Sequence, residues 1–200
     1  SIIAVDESLG QVLSTLEEIG ELNNTVIIYS SDNGYFLGEH TFNDKRLAYE
    51  NSIRVPMLIR YPKLIKENTS IKEQCLNIDL APTILNLAGI EIPDYMQGES
   101  MLNLLKGEKH ESWRKAILFE YYLDSSWPYA GPNQVAVRTD RYKLIDAFLK
   151  NDIDELYDLK NDPGEMKNLI DDKDYDEIES DLRDEAIRLM EKYKYNPDRD

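Results

Sequence analysis

The run Thr25-Val26-Ile27-Ile28-Tyr29 constrains this chain most: a β-type stretch without polar alternation that opens directly onto Ser30-Ser31-Asp32-Asn33-Gly34. A strand that does not alternate is covered on both faces, as the parallel strands of α/β proteins are. In such open sheets, reactive side chains gather just past the carboxyl ends of the strands. Here a carboxylate (Asp32), an amide (Asn33), a histidine (His40) and a lysine (Lys45) follow one such end in quick succession. The order predicts a chemical site there, not a surface loop.

The flanking residues fit an α/β chain. Val5, Leu9, Val12, Leu13, Leu16 and Ile19 fall at helical spacing, which predicts an amphipathic helix over 4–19 that Gly20 ends. A second strand is expected over Val55–Tyr61, with Pro56 at its start and Pro62 closing it. Asp79 as N-cap, Pro82 in the first turn and Gly89 as C-cap predict a helix over 80–88.

Beyond about residue 110 the texture changes. Short β-rich runs at 116–121, 134–138, 142–145 and around 155–158, separated by turn residues, predict an antiparallel meander. A last helix with Ile178, Leu182, Ala186, Leu189, Met190 and Tyr193 on one face is expected to pack on it. The expected fold is therefore α/β, with a few parallel strands and helices in residues 1–110 and a small antiparallel sheet packed on a C-terminal helix in 111–200.

Charge narrows the partners. The net charge of −16 argues against nucleic acid or an anionic membrane surface. Yet Lys45, Arg46, Arg54, Arg60, Lys63 and Lys66 face only Glu50 between positions 45 and 66, while residues 151–200 hold eight basic and eighteen acidic side chains. A basic segment beside the expected site suits an anionic substrate; solvated surface is the plainer reading of each lysine or arginine taken singly. No apolar run approaches a membrane span. The one cysteine, Cys75, excludes an internal disulfide and is expected to be a buried structural thiol.

Asp32 and Asn33 offer adjacent anionic and neutral oxygen donors, the kind that hard divalent cations take. The same Asp-Asn-Gly is also a tight-turn sequence, in which Gly34 would supply unusual backbone angles. Lys45 carries a compact positive charge suited to a tetrahedral oxyanion. Trp127-Pro128-Tyr129 form an aromatic loop that either stacks on a sugar ring or closes over the core.

The stretch from Ser31 to Pro56, SDNGYFLGEHTFNDKRLAYENSIRVP, resembles the second half of type I sulfatases of the alkaline-phosphatase-like superfamily. Asp79-Leu80-Ala81-Pro82-Thr83, Met96-Gln97-Gly98, Val137-Arg138-Thr139-Asp140-Arg141-Tyr142-Lys143-Leu144, Glu155-Leu156-Tyr157-Asp158-Leu159 and Asn161-Asp162-Pro163 resemble that family's later landmarks, in its order. The resemblance implies that Asp32 and Asn33 complete a divalent-metal site, expected to hold Ca2+, and that Lys45 is catalytic, contacting the sulfate and offsetting charge on the leaving group. It places His40 and Arg54 at the substrate, His40 alternatively as a brace for the loop, and Tyr49 and Glu50 in supporting roles.

The family's nucleophile, a formylglycine made from a cysteine in an N-terminal signature, has no counterpart here, since Cys75 lacks that context. The chain thus reads as the C-terminal part of a sulfatase hydrolysing sulfate esters of sugars, closest in style to bacterial glycan sulfatases and N-acetylglucosamine-6-sulfatases. Alone it is expected to be inactive and to hold metal weakly. A phosphonate monoester or phosphodiester hydrolase of the same superfamily is the first alternative, a non-catalytic glycan-binding module the second. Expected partners are a sulfated glycan, the N-terminal part of the same protein and, through an exposed sheet, a second copy. Family resemblance places the parent in a periplasmic, extracellular or lysosome-like compartment.

Overall fold

Helical spacing near the start builds α1 (Ile2–Glu18), and the apolar run builds β1 (Ile27–Ser30). Two short strands, β2 (Phe36–Leu37) and β3 (Asn43–Asp44), precede the one-turn helix α2 (Glu50–Ile53) and β4 (Met57–Arg60). Then come α3 (Leu80–Leu87), α4 (Leu102–Leu105), the strands β5 (Ala116–Tyr121), β6 (Gln134–Thr139), β7 (Tyr142–Asp146) and β8 (Glu155–Asp158), and a final helix α5 (Asp176–Tyr193). The computed structural model describes residues 2–121, 134–146 and 154–194; the Trp127-Pro128-Tyr129 loop lies outside them.

The chain divides into two compact units. One comprises Ser1–Ser31, Pro56–Lys72 and Ile78–Glu111, the other Asp32–Val55, Glu73–Asn77 and Ser112–Asp200. In the first, β1 and β4 pair antiparallel, with Ile27 opposite Arg60 and Ser30 opposite Met57. The expectation of parallel strands therefore fails among the described residues, where every paired strand runs antiparallel. An unbroken apolar run reports how a strand's faces are covered and carries no information about its neighbour's direction. Arg60 donates to the Leu22 carbonyl and to Asn23 Oδ1, each at 2.7 Å, and Lys63 to Asn24 Oδ1. Two of the six basic residues thus hold the turn after α1.

α1 ends as read, with Gly20 at φ +76°, but none of its residues is buried. On the face expected to be core, Val5, Val12 and Ile19 remain exposed, and Leu9, Leu13 and Leu16 are only half-buried. α3 also matches its expected span, although Asp79 does not cap it. Its carboxylate is fully buried and takes the Glu99 N–H at 2.9 Å, while Thr83 Oγ1 donates to the Asp79 carbonyl. Beside it, a Cβ on Gly98 would sit 2.0 Å from the Ile78 carbonyl oxygen, so only glycine fits. The Asp79 and Gly98 landmarks are one close backbone junction.

In the second unit the meander forms in the order β5-β6-β7-β8. Alternation along each strand gives the sheet two buried faces. Val137, Leu144 and Leu156 pack with Leu182, Ala186 and Leu189 of α5. Ala136, Ile145 and Tyr157 pack instead with Phe36, Ala48 and Tyr49. The small sheet is therefore the floor on which the segment following Asp32 is laid, and this fixes the site. Cys75, expected to be buried, is half-buried in the Glu73–Asn77 stretch, its Sγ donating to the Glu73 carbonyl at 3.6 Å.

Candidate active site

Asp32 and Asn33 are held by what lies beneath them. The Gly34 N–H donates to the Ser52 carbonyl at 2.7 Å, and a Cβ on Gly34 would meet the Asn51 oxygen at 2.0 Å. Gly34 is thus required for close approach to α2; its φ is not in the positive region the turn reading expected. The Asp32 carboxylate accepts from the Asn33 N–H at 2.9 Å, and the Asp32 carbonyl accepts from Asn77 Nδ2 at 3.1 Å.

Asn33 Nδ2 donates to the Gly34 carbonyl at 2.7 Å, which leaves Oδ1 as the outward oxygen. Lys45 Nζ reaches that oxygen at 3.1 Å across a separation of twelve residues. Of the two expected metal donors, Asn33 therefore meets the expected catalytic cation, while Asp32 and Lys45 are both exposed.

The turn carrying Lys45 is strained. Gly38, His40, Thr41, Asp44 and Arg46 all have positive φ, at 123°, 51°, 64°, 104° and 101°. Non-glycine residues in such regions each cost of order 1–3 kcal/mol and persist only where the surroundings hold them. An ion pair joins Arg46 to Asp44 at 3.1 Å, and the Arg46 N–H donates to Ser52 Oγ at 3.0 Å. Buried Ser52 therefore holds both arms: its carbonyl takes the Asp32–Gly34 arm and its hydroxyl the Lys45–Arg46 arm. Nothing in Asn51-Ser52-Ile53 distinguishes that serine in the sequence.

His40 turns inward. Its ring stacks on Tyr49, with centroids 4.2 Å apart, and meets Phe36 edge-on at 6.2 Å; its Nε2 is buried without a hydrogen-bond partner. It braces the loop by stacking. Arg54 is exposed at the C-terminal end of α2, its N–H bonded to the Glu50 carbonyl. Tyr49 and Tyr157 both donate to Glu155 Oε2, at 2.7 and 2.5 Å; burial, followed by the bond to Glu155, pushes both phenols far up.

Glu50, Arg138, Lys143 and Glu165 form a cluster that the sequence did not reveal as a unit, buried at Lys143 and Glu165 and half-buried at Glu50 and Arg138. Arg138 binds Glu50 through two nitrogens, at 2.8 and 3.1 Å. Lys143, with no exposed surface, lies 2.9 Å from Glu50 and 2.6 Å from Glu165. Burial pushes the Glu50 carboxyl up, but the Arg138 hydrogen bonds and the Lys143 charge outweigh it and hold Glu50 down to about 2. Burial wins at Glu165, whose carboxyl is raised although Lys143 and the Glu50 N–H partly offset it.

Among the described residues no three His, Cys, Asp or Glu side chains converge as a metal cluster, and no helix is long and apolar enough to cross a membrane. One carboxylate and one amide oxygen, side by side with a lysine, fit part of the oxygen shell of a hard cation beside an anion. They do not fill it.

Residues 38–192 match the family model described as N-sulphoglucosamine sulphohydrolase, C-terminal. An N-acetylglucosamine-6-O-sulfatase of Bacteroides thetaiotaomicron is 41% identical over 200 residues, covering 98% of this chain and 35% of that protein. A solved structure of a protein in complex with its substrate, D-glucosamine-2-N,6-O-disulfate, superimposes with a TM-score of 0.92 at 38% identity, covering 100% of this chain and 41% of the other. The phosphonate monoester hydrolase of Agrobacterium radiobacter shares the fold at a TM-score of 0.85 and 26% identity, over 96% of this chain and 40% of its own. The chain thus spans well under half the length of these relatives. By these matches the chain belongs to the sulfatases and forms the C-terminal part of their alkaline-phosphatase-like fold.

Proposed function

We propose that this chain supplies the metal-and-anion side of a sulfatase active site that hydrolyses sulfate esters of amino sugars. The observation that carries the reading is the 3.1 Å contact of Lys45 Nζ with Asn33 Oδ1. It puts a cation at an amide oxygen whose neighbour in the chain is the Asp32 carboxylate. Asp32 and Asn33 would hold a divalent metal, proposed as Ca2+ because adjacent carboxylate and amide oxygens suit an irregular, oxygen-only shell. Such a metal supplies Lewis-acid polarisation of the sulfate oxygens.

Lys45 offers the second positive charge to the same anion, and its exposure leaves it open to a ligand arriving from solvent. Arg54, exposed at the end of α2, is proposed to face the substrate, and His40 to hold the rim in place from behind. The nucleophile, proposed to be a formylglycine, and the remaining metal ligands would come from outside these 200 residues. The sugar is proposed to be an N-acetylglucosamine or glucosamine 6-sulfate, because the relative and the substrate complex above carry those names.

The test is sulfate release from a panel of sulfated monosaccharides by the full-length protein and by this chain, side by side. Release by the full protein from 6-sulfated glucosamines, with none from the chain alone, is the expected result. Preference for phosphonate monoesters or phosphodiesters would transfer the reading to the other hydrolase. Saturable glycan binding with no turnover of any ester would leave a binding module.

A further inference from the structure

Lys45 sits between Asp44 and Arg46, both at φ near +100°, and such a turn keeps its shape only where the following chain is anchored. That chain is fastened at three backbone groups, two to the small sheet and one to the turn after β8. Gln134 Oε1 accepts the Ala48 N–H at 3.1 Å, Lys143 Nζ donates to the Ala48 carbonyl at 2.8 Å, and Glu165 Oε2 accepts the Glu50 N–H at 2.6 Å. Lys143 and Glu165 are joined to each other at 2.6 Å with neither side chain exposed.

A buried ion pair adds little stability over a packed apolar pair of the same volume, so stability alone does not account for it. Glu165 is also aimed at some cost: it holds φ +54° in a turn where Asp162 Oδ2 accepts the Met166 and Lys167 N–H groups at 2.7 and 2.8 Å. The Asn161-Asp162-Pro163 turn drives a glutamate inward, beneath the site.

We infer that the buried Lys143–Glu165 pair is a positioning device: it clamps the backbone at Ala48 and Glu50 and thereby fixes where Lys45 presents its ammonium. Both residues act through Lys45 and touch no substrate. The inference rests on the role proposed for Lys45 in sulfate-ester cleavage.

The test uses the full-length protein with Lys143→Met and Glu165→Met combined, which removes both charges at similar volume. Glu165→Gln, which leaves one oxygen for two donors, is the milder second variant. Hydrogen exchange in residues 46–50 is expected to rise about tenfold or more while β6 and β7 stay protected. The kcat for sulfate release is expected to fall about tenfold to a hundredfold, with KM moving less. Adding Lys45→Ala should then cost little further, because both changes remove the same contact.

Unchanged exchange in 46–50, exchange rising equally through β6 and β7, or losses that multiply with that of Lys45→Ala would each overturn the clamp. If the unaltered protein releases no sulfate, the proposed activity fails by itself and hydrogen exchange decides the clamp.

Discussion

Lys45 and Lys143 carry the same charge into opposite settings. Lys45 is exposed in a strained turn and donates to a neutral amide oxygen at 3.1 Å. Lys143 has no exposed surface and is neutralised on the spot by Glu50 at 2.9 Å and Glu165 at 2.6 Å, with a third bond to the Ala48 carbonyl. An ammonium whose charge is matched inside the protein serves to hold its framework in one arrangement. One left to meet charge from outside is available to a ligand. The difference separates framework from chemistry without reference to any relative, and it is open to direct attack.

The strongest attack is Lys143→Met alone. It leaves Glu165 buried without its cation, and breaking a buried pair from one side costs about 3–5 kcal/mol. Urea unfolding of the full-length protein should show a loss of that order. A loss below about 1 kcal/mol would place Lys143 with the ordinary surface lysines. The mirror experiment, Lys45→Ala, should lower kcat/KM for sulfate release about 100- to 1,000-fold, the usual effect of removing one preorganised charge-stabilising donor. Stability should move by no more than about 0.5 kcal/mol. A variant that melts early yet turns over normally would reverse the assignment.

The sequence separates these two lysines only in part. Asp32, Asn33 and Lys45 are legible because polar residues crowd past the end of an apolar strand, where open sheets place their chemistry. The meander and α5 are legible because period-two and helical spacing are local properties. Lys143 is not: Tyr142-Lys143-Leu144-Ile145 reads as a half-exposed strand, and only the segment laid across the sheet's second face buries it. Glu165 follows Pro163 and Gly164 and reads as a solvated turn residue, yet it is 1% exposed. Pairing direction between β1 and β4, and the exposed apolar face of α1, depend on neighbours that no local pattern specifies.

Acid sharpens the contrast. Glu50 is held at about 2 against an ordinary 4.5, so its contribution is present above the unfolded value and is lost as pH falls from about 4.5 toward 2. The shift corresponds to on the order of 3 kcal/mol. Glu165 works in the opposite sense: its carboxyl is raised, so the cost of its burial as a carboxylate fades as it gains a proton on the way down. The net loss on acidification should therefore be smaller than the Glu50 share. In Glu50→Gln the dependence between pH 4.5 and 2 should shrink by the Glu50 share. Identical acid unfolding profiles would remove Glu50 from the cluster's energetics.

The smallest expected effect isolates the junction between the two settings. Ser52 joins the arm bearing Asn33 to the arm bearing Lys45, through its carbonyl and its hydroxyl respectively. Ser52→Ala keeps the first bond and removes the second, the part-buried bond from the Arg46 N–H; a lost hydrogen bond of this kind costs about 1 kcal/mol. The loss falls at Arg46, whose φ is 101°, so the turn relaxes where Lys45 is presented while the cluster beneath the turn is untouched. Activity should therefore drop more than stability does, by about tenfold in kcat/KM, against a change in unfolding free energy of about 1 kcal/mol. Ser52→Thr, which keeps the hydroxyl, should recover most of that activity if the extra methyl is accommodated at this buried position. Equal losses in both variants would show that volume at Ser52, and not the hydroxyl's hold on Arg46, sets the position of Lys45.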